Sequence, residues 1–349
     1  MSRRAHVDRI LALLIATLVI VGCLIFASAA FGLLARGATS MSSVVFSHIV
    51  LGIGAGLAML IALSVIDYRR WRPAAPYLFA LAVAATALVF VPHLGASHGG
   101  GRRWIILGGI STQPSEALKF ATILMAAAYY SAIRAKASSL TWGLGGFLVI
   151  IALPLTLLVL QPDIGTLGVI IASALAIYIA AGARWRDLVI VGIIALLGLG
   201  LLVYERPYIR DRVETFFNPS QNQQAESYQL KQSLIAIGSG GLWGRGFGKG
   251  IQKFTYLPEP MGDSIFAVAG EELGFVGAIV IVVLFLSFAL RGFAVAARAP
   301  DLFGGLLAVG ISTYLSSEAF INIAAMLGVA PLTGIPLTFI SQGGSAMLV

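Results

Sequence analysis

A chain of 349 residues that is 58% hydrophobic and 11% charged, with a mean hydropathy of +0.93, lacks the charged surface of a soluble domain, about 25% of whose residues are charged. Its net charge of +8 does not indicate nucleic acid, because the basic residues sit mostly in short turns between apolar runs. One cysteine, Cys23, excludes an internal disulfide, and the scattered His6, His48, His93 and His98 give no zinc spacing.

Apolar runs long enough to cross a bilayer fall at about 10–34, 44–66, 76–92, 115–133, 141–160, 164–182, 187–204, 265–290 and 302–328. The first is too long for a signal-peptide core and reads as a retained helix. A tenth begins near Leu337 and is cut off at Val349, too few residues for a helix to cross about 30 Å. The predicted fold class is an all-α polytopic membrane protein, a ten-helix transmembrane bundle with a truncated last helix. It forms a single domain over residues 1–349.

Twelve basic residues (Arg3, Arg4, Arg9, Arg69, Arg70, Arg72, Arg134, Lys136, Arg184, Arg186, Arg291 and Arg298) fall in turns on one side. The opposite short connections hold Arg36, Arg102 and Arg103. The positive-inside rule then predicts a cytoplasmic amino terminus and a long extracytoplasmic loop over 205–264, between the seventh and eighth helices. Within that loop, Tyr228–Ile237 has helical spacing and the glycine-rich run Gly238–Gly250 follows. The run fails as a phosphate-binding loop, since Trp243 and Gly250 stand where Gly and Ser or Thr are required; a basic membrane-surface loop fits better.

Ionisable residues at membrane depth are costly and mark candidate sites. The first cluster is Gly99-Gly100-Gly101-Arg102-Arg103-Trp104, with Gln113-Pro114-Ser115-Glu116 and Lys119. Paired arginines suit phosphate, and glycines let the backbone approach a ligand. The structural alternative is an interfacial loop with Trp104 as a belt residue and the arginines reaching lipid phosphate. Lys119, inside a helix, needs an anionic partner, either Glu116 or a bound phosphate. The second cluster is Gln161-Pro162-Asp163-Ile164-Gly165-Thr166, a tight turn whose Asp163 suits a helix cap or substrate placement. The third runs from Tyr256 through Glu259 and Asp263 to Glu271-Glu272-Leu273-Gly274. Glu259 and Asp263 suit a general base or a divalent cation, and Asp263 also suits a cap; Glu271 and Glu272 must be paired where they stand.

These segments, together with Ser233–Gly241 and the closing stretch Asn322–Ser345 with Pro331, Gly334 and Phe339-Ile340-Ser341, resemble the SEDS family of FtsW/RodA proteins from about residue 10 onward. The resemblance implies a glycosyltransferase that polymerises lipid II, an undecaprenyl-linked glycan precursor, beside a class B penicillin-binding transpeptidase and other division or elongation proteins. It places the family's essential aspartate on Asp263, its functional tryptophan on Trp104 and its conserved lysine on Lys119. Substrate contacts are expected at Arg102, Arg103, Glu116, Gln161, Asp163, Glu259 and Ser341. Gln252–Glu259 leans towards FtsW. Pro260-Met261-Gly262-Asp263-Ser264 departs from the family's His-Thr-Asp-Phe wording, and Gln342 stands where Tyr is common. A divalent cation, Mg2+ or Mn2+, fits the expected pyrophosphate chemistry, with no organic cofactor and no nucleic acid. The rival is a lipid II flippase, which needs matching polar sites on both faces; a division scaffold would leave Lys119 and Asp263 unexplained.

Overall fold

The computed structural model describes residues 8–35, 37, 50, 52–92, 94–98, 101–107, 110–217 and 225–341. Its helices are α1 Arg9–Ala35, α2 Ala55–Val65, α3 Trp71–Ala87, α4 Pro114–Ile133, α5 Gly145–Leu160, α6 Ile164–Ala180 and α7 Trp185–Glu205. After these come α8 Pro207–Phe217, α9 Ala225–Ser239, the single turn α10 Gln252–Thr255, α11 Ile265–Ala297 and α12 Leu302–Met326. Among the described residues, six helical stretches are long and apolar enough to span a bilayer, starting at Arg9, Tyr68, Leu140, Trp185, Ile265 and Leu302. The chain is a multi-pass membrane protein. Helix starts follow local chemistry: Pro114 opens α4, Asp163 caps α6 through the Thr166 amide, and Asp301 caps α12 through the Gly304 amide.

The structure corrects the sequence reading in three places. Between α3 and α4 the chain is not helical or looped throughout. It forms a three-stranded antiparallel sheet of β1 Gly95–His98, β2 Gly101–Leu107 and β3 Ile110–Thr112, so the fold is mostly rather than wholly helical. The β-branched Ile105, Ile106, Ile110 and Thr112 suit pleated strands, and these segments are too short to show a period in an apolar chain. The span expected at 76–92 begins earlier, at Trp71, with Pro76 inside the helix. From Leu337 to Ser341 the chain makes a turn where a tenth span was expected to start; the rest of that span, like residues 44–49, 218–224 and Gln342, lies outside the described residues.

Two apolar clusters form the interior. One joins α3 to α6 with Phe303, Leu306, Leu307 and Tyr314 of α12; the other joins α1, α9 and α11 with Ala319, Ile323, Ala325 and Met326 of the same helix. Helix α12 is thus the shared wall. Polar side chains sit at the change-over between the two clusters, Glu318 and Asn322 being buried there.

Helix α11 is broken at Gly274, whose φ of +68° and ψ of −167° are open to glycine and strained for other residues. The glycine-rich run wedges into this break. The Phe275 and Val276 amides donate to the Gly241 and Leu242 carbonyls at 2.8 and 3.2 Å, while the carbonyls of Glu271 and Glu272 accept from the Arg245 and Gly246 amides at 3.0 Å each. Two amides and two carbonyls freed at the break thus find new backbone partners, as apolar surroundings demand. The run is thus a surface loop tied by its backbone into the bundle, with Leu242, Trp243, Arg245, Phe247 and Lys249 exposed. A Cβ on Gly274 would meet the Gly244 amide, and one on Gly244 would meet the Glu272 carbonyl. Gly274→Ala is expected to cost about 1–3 kcal/mol in backbone strain alone, read as a lower melting temperature of the detergent-purified protein; a parental melting curve would contradict this packing.

Candidate active site

Asp263 sits just before the capping residue Ser264 of α11. Gln229 of α9 donates one amide group to Asp263 Oδ1 at 3.0 Å and to Ser264 Oγ at 2.9 Å. Thus an amide from another helix, and not the family's His-Thr pair, supplies the local hydrogen bond; Met261 and Ser264 are buried. The backbone around Asp263 is clamped from the other side. Asn322 Nδ2 donates to the carbonyls of Asp263 (2.7 Å) and Ile335 (2.8 Å), and Ser341 Oγ donates to that of Gly262 (2.8 Å) while accepting from the Leu337 amide (2.7 Å). Glu259 is exposed, with φ +42°, and its carbonyl accepts from the Gly262 and Ser264 amides.

The Asp263 carboxyl is pushed up to about 6, chiefly because burial disfavours its charge. The Gln229 hydrogen bond opposes this shift, nearby Glu259 adds to it, and Arg212 again opposes it. A carboxylate that still reaches the surface and ionises near neutrality is suited to take a proton.

Lys119 is fully buried in α4, between Glu116 at 2.8 Å and Glu318, with its ammonium 5.0 Å from the Tyr314 ring centre. Thr338 donates to the other oxygen of Glu318 at 3.0 Å. The anionic partners that Lys119 requires are therefore carboxylates of the protein. Glu318 and Asn322 lie one helical turn apart on one face of α12, about 6 Å along the axis. That face, with the 335–341 segment, joins the Lys119 group to the Asp263 loop.

The third group lies at the first turn of α4. Asp163 accepts from Gln113 at 3.1 Å and is 3.8 Å from Arg103, whose Nε donates to the Gln161 carbonyl at 3.2 Å and whose Nη2 donates to that of Pro162. Gln161 donates to the Thr86 carbonyl at 3.0 Å. Asp163 is thus both a cap and a junction. The adjacent arginines diverge because of a register shift. Ala96 pairs with Trp104 and Ser97 with Arg102, leaving Arg103 as the extra residue of a β-bulge, which re-aims its side chain. Arg102 is exposed and Trp104 half-buried on the same strand. The sheet brings both to this end, but among the described residues neither side chain bonds to the Asp263, Lys119 or Asp163 groups.

Glu271 and Glu272 are buried and paired. Lys253, itself fully buried, donates to Glu272 Oε1 and to Ser28 Oγ at 2.6 Å each, and the Gly248 amide donates to Glu272 Oε2 at 2.9 Å. Glu271 accepts from the Ile251 amide at 2.8 Å and lies 3.7 Å from Arg245. The two carboxylates tie the glycine-rich wedge, and α1 through Ser28, to the half-helix that carries Asp263.

Sequence reasoning missed Glu318, Gln229, Asn322, Lys253 and Ser28 as members of these networks. Glu318 carried a readable signal, an ionisable residue within an apolar span.

The FtsW/RodA/SpoVE profile, described as cell cycle protein, matches residues 8–349. The chain is 38% identical to Stage V sporulation protein E of Bacillus subtilis over 84% of its length and 80% of that protein's. It is 34% identical to the probable peptidoglycan glycosyltransferase FtsW of Trichlorobacter lovleyi, over 99% of this chain and 91% of that one. In structure it is similar to a chain of a peptidoglycan synthase complex that coordinates polymerization and crosslinking (TM-score 0.80, 26% identity, 98% of this chain and 94% of that one). It is also similar to the rod shape determining protein RodA of Thermus thermophilus (TM-score 0.71, 26% identity, 99% and 94% covered). By a profile match along nearly its whole length, the chain belongs to the FtsW/RodA/SpoVE, or SEDS, family.

Proposed function

We propose that this protein is a peptidoglycan glycosyltransferase that polymerises lipid II at the outer face of the cytoplasmic membrane, with Asp263 as general base. The observation that carries the reading is the Asp263 carboxyl, desolvated to a pKa of about 6 yet open to the surface, at the end of a bundle that also presents Arg102 and Trp104. The orientation rests on charge. Arg69, Arg72, Arg134, Arg184, Arg291 and Arg298 flank the helix ends opposite Asp263, so the positive-inside rule puts that end, and the amino terminus, in the cytoplasm.

In the reaction, an acceptor sugar hydroxyl of lipid II attacks the anomeric carbon of the growing chain. The new glycosidic bond forms as the bond to undecaprenyl pyrophosphate breaks, and the hydroxyl proton passes to Asp263. Charge on the departing pyrophosphate falls to the exposed Arg102, since Arg103 is committed to Asp163 and two carbonyls and Lys119 to two carboxylates. Among the described residues no three His, Cys, Asp or Glu side chains converge. Glu259 and Asp263 therefore fit Mg2+ or Mn2+ only jointly with substrate phosphates, where such an ion would neutralise the leaving group. We infer an FtsW-type duty beside a class B penicillin-binding transpeptidase; the FtsW name of one relative and the coupling of polymerization to crosslinking in the similar synthase complex support this reading.

The test is purified protein in liposomes with lipid II, with and without the transpeptidase: glycan ladders on a gel support the reading, and their absence in both arms sinks it. Gln229→Leu removes the hydrogen bond that favours the Asp263 carboxylate, so the acid limb of the rate profile is expected to move to higher pH by about one unit. A purely structural Gln229 would lower the rate without moving that limb.

A further inference from the structure

At the end of the bundle opposite Asp263, the start of α3, the end of α4 and the start of α12 border a half-open cavity of about 250 Å³, with Arg69, Arg72 and Arg134 exposed at its rim. Arg69, Arg72 and Arg134 line it with a single carboxylate, Asp301. That carboxylate is already occupied: it accepts from the Tyr68 hydroxyl at 2.6 Å, Arg69 Nε at 2.9 Å and the Gly304 amide at 2.8 Å. Arg72 and Arg134 make no ion pair among the described residues, so two positive charges face the cavity uncompensated. Arg134 is also held at φ +40°, a conformation that non-glycine residues keep at an energetic cost and where the surroundings over-determine it. The remaining wall is Ser131, whose hydroxyl donates to the Ala128 carbonyl at 2.9 Å, and the apolar pair of buried Phe303 and exposed Leu302 at the first turn of a membrane-spanning helix.

We propose that this cavity binds the phosphodiester of an anionic glycerophospholipid from the adjoining leaflet. Two free guanidiniums match a phosphate's charge and geometry. The cavity is smaller than the roughly 300–1,000 Å³ of a drug-sized pocket and suits a headgroup. Leu302 and Phe303 continue the wall onto the first turn of α12, an apolar surface that suits acyl chains. Basic pockets between helix ends at a membrane surface hold such headgroups. None of this depends on the chemistry at Asp263.

The test is a thermal-shift titration of the full chain in a neutral detergent. The probes are phosphatidylglycerol, phosphatidylcholine, inorganic phosphate and undecaprenyl pyrophosphate. Phosphatidylglycerol is expected to raise the melting temperature saturably and phosphatidylcholine is not. Arg72→Gln/Arg134→Gln is expected to need about 10- to 30-fold more phosphatidylglycerol. Arg184→Gln/Arg298→Gln, which removes the same charge from the same end outside the cavity, should titrate like the parent. Each single cavity variant should shift the titration about three- to five-fold, which keeps the question answerable where the double variant does not purify. The site falls if the cavity variants titrate like the parent, or if both double variants weaken equally. It falls as a phospholipid site if inorganic phosphate at millimolar concentration reproduces the shift. It also falls if undecaprenyl pyrophosphate binds tighter than phosphatidylglycerol, which would make the cavity a precursor site.

Discussion

Asp263→Asn is expected to fold, to melt above the parent at pH 8, and to make glycan at least 10²- to 10⁴-fold more slowly, the usual loss when a general base is removed. The stability half of this expectation follows from the raised pKa. The native state holds the Asp263 proton more tightly than the unfolded chain, whose ordinary value is 3.8, so ionisation is unfavourable to the fold. That penalty grows as pH rises from about 4 to 6, is complete above 6, and is absent in acid. Asparagine keeps an oxygen for Gln229 and carries no charge, so its advantage should appear at pH 8 and vanish near pH 4. Melting curves at the two pH values check this, and the polymerisation assay checks the rate. A well-folded variant that polymerises at the parental rate would remove Asp263 from the mechanism.

Lys119→Met is expected to be the most destabilising single change in the interior. It leaves Glu116 and Glu318 facing each other without their shared cation, and breaking a buried ion pair costs about 3–5 kcal/mol. Adding Glu116→Gln and Glu318→Gln removes the stranded charges and should recover most of the loss, since a neutral cluster needs no counter-ion. The comparison is made on denaturant or thermal unfolding in detergent. The triple variant separates stability from function: if it is stable but slow, the Lys119 group also shapes the Asp263 loop through Asn322 and Thr338. Parental stability of the single variant would show that these groups do not depend on one another.

The apolar runs made most of the helices legible, because a helix in lipid needs little more than an uninterrupted apolar stretch. The same uniformity hid the sheet. Gly101–Leu107 is short, glycine-led and basic, and its bulge at Arg103 is a matter of register that one strand cannot announce. The candidate site was legible where an ionisable residue stood in the wrong solvent, as at Lys119, Asp263, Glu271 and Glu272. It was not legible where ordinary amides do the work. Gln229 and Asn322 look like any polar residue of a helix, and their significance arises when α9 and α12 meet α11. The glycine-rich run was legible in part for a related reason. Its composition announces the exposed basic surface that Arg245 and Lys249 present, but not that its backbone enters the break at Gly274.

The most direct measurement is the initial rate of lipid II polymerisation by the parent protein between pH 5 and 8, with transpeptidase and lipid concentrations held fixed. If the Asp263 carboxylate accepts the proton, the rate is level above about pH 7 and falls towards tenfold per unit below about pH 6. A rate that stays level from pH 7.5 down to 5 would contradict the account.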